Sequence, residues 1–258
     1  MFEVFSDIFA CRENSLTRID PRPKLIIALS LILAVIFSRR FFLPAGAAAV
    51  CVGAMLALRI PRRLLLIRLL PPLGIVAVLI VLKAFLTPGA PLISITLLGN
   101  YLSASAEGAA EGLLMSARVL GAVSVVLLLA TVTPAYKVFA AARWFRVPDG
   151  WVEIAFLVYR YIFVLLEQAS DVQTAQRVRL GYSNIRRSLS SVGVLAGTVM
   201  VQSIDQALRT HEAMMMRGYQ GRYPFGPLPR MKATDWALAV AGPCLVSALY
   251  ALAEWLPQ

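Results

Sequence analysis

Three observations predict an all-α, polytopic membrane protein with about five transmembrane helices plus long cytoplasmic amphipathic helices. First, 59% of the 258 residues are hydrophobic and only 15% are charged, too apolar for an ordinary soluble domain. Second, the apolar residues gather into stretches near the length a bilayer requires, separated by basic segments. Third, one long stretch toward the C-terminal end has helical periodicity but too many charges for lipid.

Five stretches are candidate spans. Leu25–Ser38 is short and almost runs into Phe41–Leu58. The third follows a break at Pro71-Pro72 and continues to Leu86, because proline removes a helical donor and crowds the preceding turn. The fourth is Leu113–Val132 and the fifth Trp236–Leu256. The first twenty residues carry acids and no continuous apolar core, unlike a secretory signal.

Short loops rich in Lys and Arg stay on the cytoplasmic side. Arg12, Arg18, Arg22 and Lys24 precede the first span, and Arg59, Arg62, Arg63 and Arg68 follow the second. Between Pro88 and Gly112 there is no Lys or Arg, whereas Lys137 to Lys232 is rich in Arg. This pattern places the N-terminus inside, the 88–112 loop outside and the C-terminus outside. Arg39 and Arg40 fall on the outer side and read as snorkelling interfacial residues.

The chain therefore divides into residues 1–133 with four spans, a cytoplasmic helical region 134–232, and a last span within 233–258. The middle region, roughly 100 residues, is far longer than a connection needs. Within it, Tyr136–Arg146 is a short amphipathic piece between two prolines. A long helix follows Pro148-Asp149-Gly150, with an apolar body and a basic end. Its first two thirds could pass for a sixth span, but Glu153, Arg160 and Glu167 recur every two turns on one face, expensive in lipid and tolerable at an interface. From Leu189, apolar residues recur at Val192, Leu195, Val199, Ile204, Leu208 and Met215, opposite Gln202, Asp205, Arg209 and Glu212.

Both long helices end on arginine and glycine, in "TAQRVRLGYSN" and "EAMMMRGYQGRYP". Gly181 and Gly218 stand where a helix end favours positive φ, and arginines there suit the negative end of the helix dipole. One such end would be only a good cap. Repetition, basic excess and the further Arg222 point to a docking device instead. A stripe that buries apolar surface, ending in guanidinium groups, suits a groove lined by apolar and acidic residues.

Several functions are excluded or disfavoured. No GxxxxGK[ST] phosphate loop is present, so any ATP hydrolysis belongs elsewhere. Cys11, Cys51 and Cys244 show no metal or disulfide spacing. The sole histidine, His211, is either a ligand or a polar position on a half-exposed helix. The Met214–Met216 run could meet a soft metal, but consecutive residues point in different directions, which favours adaptable packing. Arg118 in the fourth span is open to a substrate contact or an interhelical pairing.

These residues resemble one family, the transmembrane T component of energy-coupling factor (ECF) transporters, most closely its cobalt-uptake branch, CbiQ. "RIDPRPKL" (18–25) resembles the lead-in to that family's first span and "SARVLGAVSVVLLLATVTP" (116–134) its fourth. "VPDGWVEIAFLVYRYIFVLLEQ" (147–168), with its Tyr-Arg-Tyr-Ile-Phe, is similar to a segment marking the cobalt branch. The two endings resemble the family's paired Ala-Arg-Gly signatures. Aligned on glycine, Leu180 replaces the first arginine, leaving Arg177 or Arg179 to supply the charge. In the second, Met216 replaces alanine, with Ala213 one turn earlier.

The resemblance implies a non-catalytic membrane subunit of an ATP-driven importer of Co²⁺, with Ni²⁺ next, supplying cobalamin biosynthesis. Implied partners are two ABC-type ATPase subunits, a substrate-binding (S) membrane subunit, a small accessory membrane subunit and membrane lipid, with no nucleic acid. The chain itself would bind no metal and no cofactor, ATP and Mg being used by the ATPase. It would be multi-pass in a bacterial inner membrane. The ATPase-coupling residues would be Arg177, Arg179, Gly181, Ala213, Arg217 and Gly218. The competing class is a self-contained membrane metal-ion carrier.

Overall fold

The computed structural model describes residues 19–58, 60, 62–87, 91–97, 100–221 and 231–255. Arg12, Arg18, Cys11, Arg59, Pro88, Arg222 and Leu256 lie outside the described residues. Among those described, eight helices follow in order: α1 (Pro21–Phe37), α2 (Phe42–Ala57), α3 (Arg62–Leu86), α4 (Ala106–Val132), α5 (Ala135–Trp144), α6 (Asp149–Val178), α7 (Ile185–Met216) and α8 (Ala233–Trp255). Between α3 and α4 lies an antiparallel hairpin of β1 (Pro91–Leu97) and β2 (Asn100–Ser105). The architecture is that of a polytopic all-α membrane protein with this one small hairpin. The chain forms two compact units, one of Met1–Val138 with Arg230–Gln258 and one of Phe139–Pro229.

Among the described residues, three helices are long and apolar enough to cross a membrane: Arg63–Leu86, Ala106–Val132 and Ala233–Trp255. The 17-residue α1 and 16-residue α2 are shorter. At 1.5 Å per residue they reach about 24–26 Å, just under the roughly 30 Å of a bilayer's hydrocarbon.

Two predicted boundaries are corrected. Helix α3 does not begin after the prolines but runs through Pro71 and Pro72 from Arg62. Two lost donors are cheaper than an exposed chain break among Leu and Ile side chains in lipid. Helix α4 starts at Ala106, well before Leu113, because Ser105 caps it: its Oγ accepts from Gly108 N at 3.0 Å and donates to the Thr87 carbonyl at 2.7 Å. The region between the spans is therefore hairpin followed by helix, not loop alone. At the start of α1, Asp20 caps the helix by accepting from Arg22 N at 3.1 Å, with Pro21 in the first turn.

Helix α4 is the centre of the first unit and packs through small residues. One side of it approaches α3: a Cβ on Gly112 would lie 3.2 Å from Ile80 Cα and Lys83 Cβ, and one on Gly108 would run into the Lys83 carbonyl. Another side meets α1 and α2, where a Cβ on Gly121 would sit 2.9 Å from the Pro44 carbonyl and 3.1 Å from Val35. In lipid, such close backbone approach replaces the hydrophobic drive that water supplies. Ala28, Cys51 and Val125 form the buried centre where the three helices meet. Arg118 serves an interhelical role: its Nε and Nη2 donate to the Ser38 carbonyl at the end of α1, at 3.0 and 2.6 Å. Beside it, Arg39 N donates to Glu254 of α8 at 3.0 Å.

Candidate functional site

The second unit is built on α6 and α7, which run antiparallel. Three contacts along their length set the pairing: Glu153 with Tyr219, Tyr161 with Thr210, and Gln176 with Ser191. The seam is polar. Tyr161 Oη donates to Thr210 Oγ1 at 2.7 Å, the Thr210 hydroxyl itself donating to the Gln206 carbonyl, and Gln176 Nε2 donates to the Ser191 carbonyl at 3.0 Å. Aromatic edges join α5 to α6, with Phe139 against Phe156 at 5.8 Å and Tyr159 at 5.9 Å.

The apolar side of the hairpin stays open. Helix α7 buries no side chain, and Leu189, Val192, Ile204, Leu208 and Met215 of its predicted stripe are all more than half exposed. That pattern follows from the sequence, since a stripe without a facing stripe in the same unit has nothing to bury against.

Both helices end in the same backbone device. At α6, Arg179 is the last half-helical residue (φ −84°), Leu180 turns to φ 58°, and Gly181 N reaches back to the Gln176 carbonyl at 2.8 Å. At α7, Arg217 (φ −91°) is followed by Gly218 at φ 78°, and Tyr219 N reaches the Met214 carbonyl at 3.0 Å. These are Schellman caps. Backbone equivalence pairs Arg179 with Arg217 and Leu180 with Gly218, a register shifted by one residue from an alignment on glycine.

The expectation for Gly181 is thereby corrected. Leu180, not Gly181, takes the left-handed conformation, and only Gly218 of the two glycines has positive φ. Gly181 is needed for space: a Cβ there would lie 2.7 Å from Ser191 Oγ and 2.9 Å from the Gln176 carbonyl. The start of α7 presses on that point, and Ser191 Oγ donates to the Gly181 carbonyl at 2.9 Å. Cap geometry alone does not mark function, because α5 ends similarly with Arg146 at φ 63°.

The α6 and α7 ends differ from the α5 end in degree, since Arg146 there stands exposed between Phe145 at 44% and Val147 at 38%. Arg177, Arg179 and Arg217 are exposed, and Arg177 Nη2 donates to Gln173 Oε1 at 3.4 Å. Around them stand Val178 at 80%, Leu180 at 67% and Met216 at 90% exposure. A leucine in the left-handed region costs about 1–2 kcal/mol. Neither backbone preference nor burial in this chain accounts for it. The hairpin holds the two arginine ends apart, because Tyr219 sits at Glu153 and 26 helical residues separate Glu153 from Arg179. That spacing is roughly 40 Å.

Near the α7 end, α6 and α7 enclose a cleft of about 590 Å³ whose walls include Ala213, Met214 and Arg217. Glu153, one of the three charges on the α6 face, is buried and accepts from Tyr219 Oη at 2.7 Å. That bond holds the Tyr219 proton, raising its pKa above the ordinary tyrosine value. Arg160 lines the same cleft, with its guanidinium 5.8 Å from the Tyr161 ring centre, whereas Glu167 is exposed. His211 is exposed too. Sequence reasoning missed Tyr219 as a tether. The spacing of Arg209, Ala213 and Arg217, four residues apart, was the available signal for the cleft wall.

These features define a class: a polytopic membrane protein with an amphipathic helical hairpin displaying arginine-capped ends. The family model for the CbiQ cobalt transport protein matches residues 12–225, and the chain belongs to that family. An uncharacterized protein of Methanocaldococcus jannaschii is 33% identical over 81% of this chain and 78% of its own length. The cobalt transport protein CbiQ of Rhodobacter capsulatus is 33% identical over 56% of this chain and 59% of its own length. The protein of that name from Salmonella typhimurium is 26% identical over 41% of this chain and 47% of itself. The chain is a membrane component of cobalt transport.

Proposed function

We propose that this chain is the non-catalytic coupling subunit of an ATP-driven ECF-type importer, passing ATPase motion to a separate substrate-binding membrane subunit. One observation carries the reading. Two exposed arginines occupy equivalent cap positions at opposite ends of a hairpin, each beside exposed apolar side chains that the chain leaves uncovered. Two ends suit two ATPase subunits, which hydrolyse the ATP and carry the Mg. A small accessory membrane subunit completes the complex in the bacterial inner membrane. Cobalt as the ion is supported by the relatives named for cobalt transport, with nickel next on the family resemblance alone.

Charge reversal tests it. With ATPase and substrate-binding subunits coexpressed, Arg217→Glu opposes the carboxylates expected in the groove. Losing a partly buried pair costs roughly 3–5 kcal/mol, or about two to four decades in one dock. The other end raises the local concentration, so uptake falls more than copurification. Arg179→Glu with Arg217→Glu abolishes ATPase copurification, and Arg217→Lys is intermediate because planar bidentate pairing is lost. A double variant retaining ATPase and Co²⁺ uptake at matched expression sinks the proposal. Saturable Co²⁺ binding and uptake by the chain alone would establish the carrier instead.

A further inference from the structure

The two arginine ends differ in one respect: only at the α7 end does the arginine share a cleft with two others. Arg209 and Arg217 line it from α7 and Arg160 from α6, against the single carboxylate of Glu153. That carboxylate is already engaged by Tyr219, and none of the three arginines has an ion pair among the described residues. Three guanidinium groups against one carboxylate leave the half-open cleft with excess positive charge, and an anion relieves the repulsion among them.

Spacing decides the kind of anion. Arg209 and Arg217 are eight residues apart on one helix, about 12 Å along its axis. Arg160 faces them from the other helix. One phosphate is small against that span, whereas carboxylates distributed along a peptide segment match it, each taking one planar guanidinium. The cleft's 590 Å³ admits such side chains. Tyr161 and Thr210, bonded to each other across the floor, hold the two walls in register.

We infer that Arg160 and Arg209 join Arg217 in a three-arginine cleft that receives an acidic segment of one ATPase subunit, making the α7 end a pocketed dock and the α6 end a projecting one. The inference rests on the coupling reading proposed above and adds Arg160 and Arg209 to the contact. It also makes the two ATPase attachments chemically unequal.

The test uses the coexpressed complex in an Arg179→Glu background, where the ATPases are held through the α7 end. Arg160→Glu and Arg209→Glu are each expected to reduce ATPase retention roughly tenfold further, the effect of one lost charge pair. Arg160→Lys and Arg209→Lys keep the charge and restore most of it, which a merely structural role would not predict. Retention in the background strain should also fall at least about tenfold from low to high salt, as expected for clustered exposed charges. If Arg217→Glu releases the ATPases but neither Arg160→Glu nor Arg209→Glu does, the cleft is overturned and the coupling reading stands. If Arg217→Glu has no effect either, the coupling reading itself falls. Should a Glu variant unfold, the Lys variants and the salt series decide, and a salt-independent retention overturns the cleft.

Discussion

The two units hold themselves together by opposite means. Around α4, backbones come so close that Gly108 and Gly121 have no room for a methyl group and Gly112 has little. In α7, Gly193 and Gly197 have nothing within 4 Å of where a Cβ would stand. Lipid offers helices little hydrophobic incentive to associate, so the first unit depends on close fit. The hairpin is stitched by polar contacts and leaves its apolar stripe uncovered, as a surface kept for partners would be.

Glycine substitutions break this contrast most sharply. Gly121→Leu should destabilise the protein by about 3 kcal/mol, the upper end for overpacking, because the obstacle is the Pro44 carbonyl rather than a movable side chain. Gly197→Ala should do the reverse, stabilising α7 by about 0.5–1 kcal/mol through helix propensity. Thermal melting in detergent separates the two, and equal effects would remove the distinction between the units.

Next comes Arg118→Met, which keeps the bulk but removes both donors to the Ser38 carbonyl. A loss of about 2 kcal/mol is expected for a charged hydrogen bond. A substrate-contact role would instead leave the melt unchanged and alter Co²⁺ uptake.

The caps sharpen the comparison within the hairpin. Leu180→Gly should stabilise the α6 end by about 1 kcal/mol by relieving the left-handed leucine, while Gly218→Ala costs about as much at the α7 end. Hydrogen exchange at the following amides reads both. If Leu180 is held for docking, its replacement lowers ATPase retention while raising stability.

The smallest effect is a pH dependence. The Glu153 bond raises the Tyr219 pKa in the folded state, so its stabilisation is complete below the ordinary value of 10.0 and is lost as pH rises through the higher folded value. Tyr219→Phe should flatten the alkaline limb of hairpin stability and leave neutral-pH uptake nearly intact. An unchanged limb would mean that the tether contributes nothing.

Much was legible in the residues themselves. Apolar stretches long enough for lipid are visible as composition, and the stripe from Leu189 to Met215 as period, because both depend only on neighbours along the chain. The arginine ends were equally plain, since capping is local chemistry. Tertiary structure decided the rest. Pro71 and Pro72 look like a break until the surroundings make an interrupted helix the costlier choice. Gly181 looks like the left-handed cap residue, yet it is there for space, because Ser191, ten residues beyond it, occupies the place a side chain would need, while Leu180 takes the positive φ. The same is true of Arg160 beside Arg209 and Arg217, and of Tyr219 on Glu153. Residues 66 apart meet only when two long helices fold back on each other, and no local pattern encodes that distance.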